Sequence, residues 1–213
     1  ARAPLSKIIV TGCYAQLEPD QIIQIPGVDL VVGTKNKFNI EKFIFDNEVG
    51  SLIHTKIENV NNFDISYSTS ERTRSFIKIQ DGCDYSCTYC TIPNARGISR
   101  SGNIINTIEK INFIVDSGIK EIVLSGINVG DFGNEDEDLY KLLIEIEKIE
   151  GLQRYRISSI EPNLLNDNII NLISNSNKAL PHLHIPMQSG SDKVLKDMKR
   201  RYNVSDYTRL IKK

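Results

Sequence analysis

Three of the chain's four cysteines, Cys83, Cys87 and Cys90, stand within eight positions, directly after an apolar run that contains Phe76, Ile77 and Ile79. Residues spaced i, i+4 and i+7 share one face of a helix, and a tight loop can wrap them similarly, so three such thiolates can converge on one inorganic centre. Free cysteine is also one of the most buried residue types. These three, however, are set among Gly82, Asp84, Tyr85, Ser86, Thr88 and Tyr89, which is poor core material. The spacing therefore points to metal chemistry on a loop at the end of a strand.

Which metal depends on the fourth ligand. A structural zinc site is closed, with four protein ligands. No His or Cys follows closely after Cys90, and the first downstream histidine is His182. A cubane iron–sulfur cluster ordinarily takes four thiolates too. Held by three, it would leave one iron open to an exogenous ligand carrying amino and carboxylate groups.

The remaining pattern bounds the fold. Lys7–Thr11 and Asp29–Gly33 are short β-branched runs that read as buried strands, separated by a helix from Pro19 to about Gln24. A second helix is expected from Asn36 to about Asp46. This is an α/β pattern, a piece of a Rossmann-like layer, assigned to residues 1–46. Residues 47–71 are rich in Gly, Asn, Ser and Thr and read as linker, apart from a short strand near Ser51–Thr55, with a domain boundary near Glu71. His54 lies in this stretch and is expected at the surface.

After the cysteines, helix and strand alternate. Helices are expected from Ile104 to Val115 (ended by Gly118), Leu139 to Glu150, Leu164 to Ser174, Ser191 to Met198 with Ser191 as cap, and Asp206 onward. Strands are expected at Glu121–Gly126, Arg154–Ile160 and His182–Gln188. Such βα units imply a parallel sheet and part of a (β/α) barrel over residues 72–213, with chemistry at the C-terminal strand ends. Those ends carry Gly82-Cys83, Gly126-Ile127-Asn128, Glu161-Pro162 and Gln188-Ser189-Gly190.

With a formal net charge of -1, the chain as a whole lacks a basic footprint for nucleic acid, so any RNA contact must be local. No apolar run approaches the ~20 residues of a membrane span. Crowded cysteines make poor disulfide partners for one another, which favours a reducing, cytoplasmic setting. Ala1-Arg2-Ala3-Pro4 offers neither an initiator Met nor a signal core, so the chain reads as an internal fragment.

The motif Cys83-x3-Cys87-x2-Cys90 after a strand resembles the signature of the radical S-adenosylmethionine (SAM) superfamily. Its continuation, Thr91-Ile92-Pro93-Asn94-Ala95-Arg96-Gly97-Ile98-Ser99-Arg100-Ser101, resembles the methylthiotransferase branch. Gln80-Asp81-Gly82-Cys83 and Ser158-Ser159-Ile160-Glu161-Pro162 look most like the members that modify threonylcarbamoyl-adenosine beside the tRNA anticodon. Siblings acting on isopentenyl-adenosine or a ribosomal protein remain open.

That resemblance implies a 4Fe-4S cluster on Cys83, Cys87 and Cys90, with S-adenosyl-L-methionine chelating the open iron. One-electron reduction would release a 5′-deoxyadenosyl radical for C–H activation. Cys13, in Thr11-Gly12-Cys13-Tyr14-Ala15-Gln16, would be the last of three ligands to a second cluster, through which the methylthio sulfur arrives. Gly126 would let the backbone approach the methionine end of SAM. Glu161 and Gln188 would hydrogen-bond its amino group or ribose, and Arg200 its carboxylate. No catalytic residue beyond the cluster ligands is assigned. His182 and His184 share a strand face and are expected to line the barrel rather than hold a metal. The implied partners are tRNA, through a C-terminal domain outside this chain, and a low-potential electron donor; the core would lack its last two barrel units. A non-catalytic zinc module is the contrasting class.

Overall fold

In the computed structural model, which describes residues 6–44, 50–68, 73–134 and 136–213, the chain divides into two units. One comprises the described residues up to Asn62 together with Thr91–Ile98, and the other those of Phe63–Cys90 together with Ser99–Lys213. The expected boundary at Glu71, the helix end at Phe45–Asp46 and the Ala1–Pro4 terminus lie outside the described residues.

The first unit is a parallel three-stranded sheet in the order β1 (Ile9–Thr11), β2 (Leu30–Val32), β3 (Ser51–Ile53). Helices α1 (Cys13–Leu17) and α2 (Pro19–Ile23) connect the first two strands. Proline opens α2 because its missing N–H is an orphan there anyway, and Asp20 in the first turn complements the helix dipole. Ala15, Ile22 and Val31 are buried together, with Val10, Ile23 and Val28 packed against them. The helix expected from Asn36 forms as a 3-10 turn at Thr34–Asn36 and then α3 (Glu41–Ile44). His54 is exposed but not without partners: its Nε2 accepts from the buried Gln16 amide at 2.8 Å. Helix α4 (Ile92–Arg96) lies against α1.

The second unit is built on a four-stranded sheet in the order β4 (Ser66–Tyr67), β5 (Ser75–Lys78), β8 (Glu121–Ser125), β9 (Arg154–Ile157). A two-stranded ribbon, β6 (Gln80–Asp81) with β7 (Arg100–Ser101), sits between β5 and β8 in sequence. Strand β4 is antiparallel to β5, whereas β5, β8 and β9 are mutually parallel. Period-2 alternation divides their side chains between two faces. Ile77, Ile122, Leu124, Tyr155 and Ile157 point into a core completed by α5 (Ile104–Asp116) and α6 (Leu139–Glu147), which contribute Ile111, Ile114, Leu142, Leu143 and Ile146. Phe76, Val123 and Arg156 fall on the opposite face and line a cavity of about 350 Å³ with Ser158, His182 and His184.

Helix starts follow their side-chain caps. Asn103 accepts from Asn106 N, and Asp138 from Lys141 N, each at 2.7 Å. Asn166 caps α7 (Asp167–Asn175), so this helix begins later than Leu164; Pro162–Leu164 is a separate 3-10 turn. Ser191 precedes α8 (Asp192–Asp197) without a capping bond. A capping box between Asn203 and Asp206 opens α9 (Val204–Ile211).

The expected strand at His182–Gln188 does not form. Only isolated parallel bridges, Tyr155 to Ala179 and Ser159 to His184, follow β9. Pro181 and Pro186 lack the N–H that a ladder needs, and Gln188 adopts φ 65°, outside the extended region. Strand β9 likewise stops at Ile157, short of Ile160. The described architecture is an α/β fold of the incomplete β/α-barrel kind.

This core makes a direct stability prediction. Leu143→Ala removes a fully buried side chain and should cost about 2–5 kcal/mol. Ile105→Ala, on the exposed face of α5, should change stability by no more than about 0.5 kcal/mol. Urea unfolding of the two variants checks the assigned faces.

Candidate metal centre and cofactor cleft

The three cysteines are carried on the loop that follows β6. It begins at Gly82, whose φ of 75° is a left-handed value suited to glycine, with Gly82 N donating to Asp81 Oδ1 at 3.0 Å. The loop is not helical; a turn at Thr88–Tyr89 closes it, with Cys90 N donating to Cys87 O at 3.1 Å. All three thiols are free and half-buried. Burial pushes the Cys83 thiol above its usual range, and the charges of Asp131, Cys87 and Cys90 act the same way, while the N–H of Tyr85 on its sulfur opposes them. A positively charged centre is what would draw the proton off such a thiol. Among the described residues, no three His, Cys, Asp or Glu side chains are gathered closely enough for a single ion. A cubane presents a separate iron to each thiolate, so its ligands stand farther apart than those around one ion. The donor set suits such a cluster.

Gln80 ties this loop to the next strand end. Its side chain is buried; Nε2 donates to Gly82 O at 2.8 Å and to Ser99 Oγ at 2.9 Å, and Oε1 accepts from Ile127 N and Asn128 N at 3.0 and 2.9 Å. This fixes why residue 126 is glycine. A Cβ there would lie 2.9 Å from Gln80 Oε1 and 3.1 Å from Gln80 Cβ and O. Gln80 thus packs directly against the glycine that the sequence assigns to the methionine end of SAM.

Asn128, also buried, continues the network. Its Nδ2 donates to Asp131 Oδ2 at 2.9 Å, and its Oδ1 accepts from Glu161 N at 3.3 Å. Burial raises the Asp131 carboxyl, against the hydrogen bond from Asn128. The Tyr85 ring is covered by the Arg201 guanidinium at 3.9 Å, and its hydroxyl accepts from Asn163 Nδ2 at 2.8 Å. Burial raises its pKa as well.

Glu161 and Arg200 form an ion pair with side chains 15% and 3% exposed. Arg200 Nη1 donates to Cys87 Sγ at 3.1 Å and to Tyr89 Oη at 3.2 Å. Gln188 is exposed, and its side chain makes no hydrogen bond among the described residues. Its strained segment is held by Tyr202, whose hydroxyl donates to Pro186 O or Met187 O at 3.0 and 2.9 Å. His184 Nδ1 lies 2.7 Å from Ser159 Oγ, and both histidines line the inner cavity as expected, where Ser158 Oγ is buried without a partner among the described residues. Cys13 begins α1 in the first unit, where its Sγ accepts from Arg96 Nε at 3.3 Å.

The structure therefore gathers Cys83, Cys87, Cys90, Gly126, Glu161 and Arg200 in the second unit, leaves Gln188 exposed, and places Cys13 in the first. Gln80, Asn128, Tyr85 and Arg201 belong to the same network and were given no role at the site by the sequence, although Gln80 and Asn128 stand in its motifs. The available signal was Gln80 itself, a polar residue at an inward position after an apolar strand.

Residues 77–213 match the Radical SAM superfamily. The chain is 42% identical over 212 residues to a threonylcarbamoyladenosine tRNA methylthiotransferase, MtaB, of Bacillus subtilis (strain 168), covering 94% of this chain and 46% of that protein. It is 38% identical over 218 residues to a tRNA-2-methylthio-N(6)-dimethylallyladenosine synthase of Hydrogenobaculum sp. (strain Y04AAS1), covering 99% and 50%. The cobalamin-dependent S-adenosylmethionine radical enzyme OxsB, solved with aqua-cobalamin and S-adenosylmethionine bound, shares the fold with a TM-score of 0.64 at 13% identity over 96% of this chain and 34% of that one. The chain belongs to the radical SAM superfamily and is closely related to its tRNA methylthiotransferase branch. It spans about half the length of the curated relatives it matches.

The Gln80–Gly126 contact is testable by a double-mutant cycle. Gly126→Ala should destabilise by about 1–3 kcal/mol through overpacking. Adding Gln80→Ala, which removes the nearest obstructing atom, should make the pair cost less than the sum of the singles. Strict additivity in denaturant unfolding would show that the Gln80 side-chain oxygen is not the obstruction the Cβ meets.

Proposed function

We propose that the chain is the catalytic core of a radical SAM enzyme that transfers a methylthio group to threonylcarbamoyl-adenosine next to the tRNA anticodon. The observation that carries this reading is the cysteine loop itself: three free thiols on one loop beyond the C-terminal end of β5, with a buried guanidinium on Cys87. In the proposal Cys83, Cys87 and Cys90 hold a 4Fe-4S cluster with one open iron, and Cys13 is a ligand of a second cluster. When bound, the cluster and SAM together supply the radical that activates the substrate C–H bond.

The chain's own residues bind and orient. The 126–128 turn, braced by Gln80, offers a preformed wall for the methionine end of SAM. Glu161 presents a carboxylate to its amino group or ribose, and Gln188 stands free to donate and accept. In this reading residues 1–46 are the end of a Rossmann-like N-terminal domain, and residues 47–71, whose strand β3 joins the first unit's sheet, lead to the radical SAM core of 72–213. The partners are tRNA and a low-potential electron donor, in the cytoplasm. Among the described residues no helix is long and apolar enough to cross a membrane. A dimethylallyl-adenosine substrate is the second reading, favoured by the similarity to the Hydrogenobaculum synthase.

Anaerobic reconstitution tests the centre. The wild-type chain should be brown, with iron and sulfide near one cubane per chain, and Cys87→Ala should lose most of both because two thiolates do not retain a cubane against solvent. A colourless chain holding tight zinc would contradict the reading. For the substrate, the protein at its relatives' full length should methylthiolate threonylcarbamoyl-adenosine in tRNA, measured by nucleoside chromatography; modification of dimethylallyl-adenosine instead would favour the second reading.

A further inference from the structure

Arg200 is aimed by its backbone. The turn after α8 passes through Lys199 at φ 57°, and Arg200 N donates to Leu195 O at 2.9 Å, which sends the side chain towards the cysteine loop. There it is 3% exposed, with its guanidinium 5.4 Å from the Tyr202 ring centroid. Burying a guanidinium is costly unless anionic partners and hydrogen bonds compensate. Nη2 has Glu161, and Nη1 has the sulfur of Cys87 at 3.1 Å, whereas Nε is buried without a partner among the described residues. A neutral thiol is a weak acceptor, and a thiolate makes the same contact a charge-assisted one. Two of the three guanidinium nitrogens are thus spent on Cys87, Tyr89 and Glu161, an arrangement directed at the sulfur more than at a SAM carboxylate.

We propose that Arg200 is a positioning residue that sets the reduction potential of the cluster held by Cys83, Cys87 and Cys90, with Glu161 as its counterweight. The inference rests on the cluster assignment made above. Net charge and hydrogen bonds to the sulfurs set the potential of such a cluster. A cation donating to Cys87 Sγ withdraws electron density from the thiolate and favours the more negative, reduced state. Reduction adds one electron to the cubane and breaks no bond; in the test the electron comes from dithionite. The Glu161 carboxylate neutralises part of the guanidinium charge and so pulls the potential the other way. The two residues should have opposite effects, which a merely structural pair would not.

The test is a dithionite titration of the anaerobically reconstituted chain, followed by electron paramagnetic resonance without SAM, with iron and sulfide measured in every sample. Arg200→Gln should shift the midpoint to more negative potential, and Arg200→Lys should do so less, because a point charge keeps the sign but not the fork that reaches sulfur and carboxylate together. Glu161→Gln should shift it to more positive potential. Where Arg200→Gln fails to assemble a cluster, the opposed shifts of Arg200→Lys and Glu161→Gln carry the same test. Loaded variants with the wild-type midpoint, or shifts in one common direction, would overturn the proposal. A wild-type chain that takes up no iron and sulfide would instead remove the cluster assignment beneath it, and the metal analysis tells the two failures apart.

Discussion

The side-chain amide of Gln80 is the tie on which the site depends. It is buried, it uses both its donor and its acceptor, and its partners are backbone and side-chain groups of three separate stretches: Gly82, Ser99 and the Ile127–Asn128 turn. A buried amide left unsatisfied would cost the full desolvation of its polar atoms, whereas one satisfied on both sides fixes the loops it joins. The cysteine loop begins at Gly82 and the turn after β8 begins at Gly126, so one residue holds both strand ends in register. A binding site held this way needs little reorganisation when its ligand arrives.

Above that tie the chemistry is layered by charge. The β5–β8–β9 sheet puts its strand ends on one side, as parallel barrels do, and loops from each end supply a different function. The first supplies thiols, the second a backbone turn and Asn128, the third Glu161. Arg200 arrives from beyond α8, pairs with Glu161 and donates to Cys87 Sγ. At Cys83 burial and its anionic neighbours favour the protonated form, so loading a metal there should release a proton.

Much of this was legible in the sequence because it is local. An apolar run marked β5, the succession of helix and strand marked β8 and β9, and the 3.6-residue stripe marked α5 and α6. The cysteine spacing marked the loop. What was not legible depended on partners distant in the chain. Pro181 and Pro186 reduced an apolar-looking strand to a bridge at His184, although Ile185 and Leu183 satisfied its pattern. Gly126 was read as the place where backbone approaches the methionine end of SAM, and its tight contact with Gln80, more than forty residues earlier, was not visible locally. Arg200 was read as a fork for the SAM carboxylate, and its contact with Cys87, 113 positions away in the chain, was not visible locally. Burial decides such pairings, and burial is a property of the packed chain.

The central claim is that this loop holds a cubane by three thiolates and leaves one iron open to SAM. Mössbauer spectroscopy of the chain reconstituted anaerobically with 57Fe, recorded with and without SAM, tests it most directly. The account predicts a cubane spectrum in which a single iron site changes its isomer shift on SAM addition while the others keep theirs. A cubane whose iron sites all remain unchanged by SAM, or iron bound in mononuclear form, would contradict it.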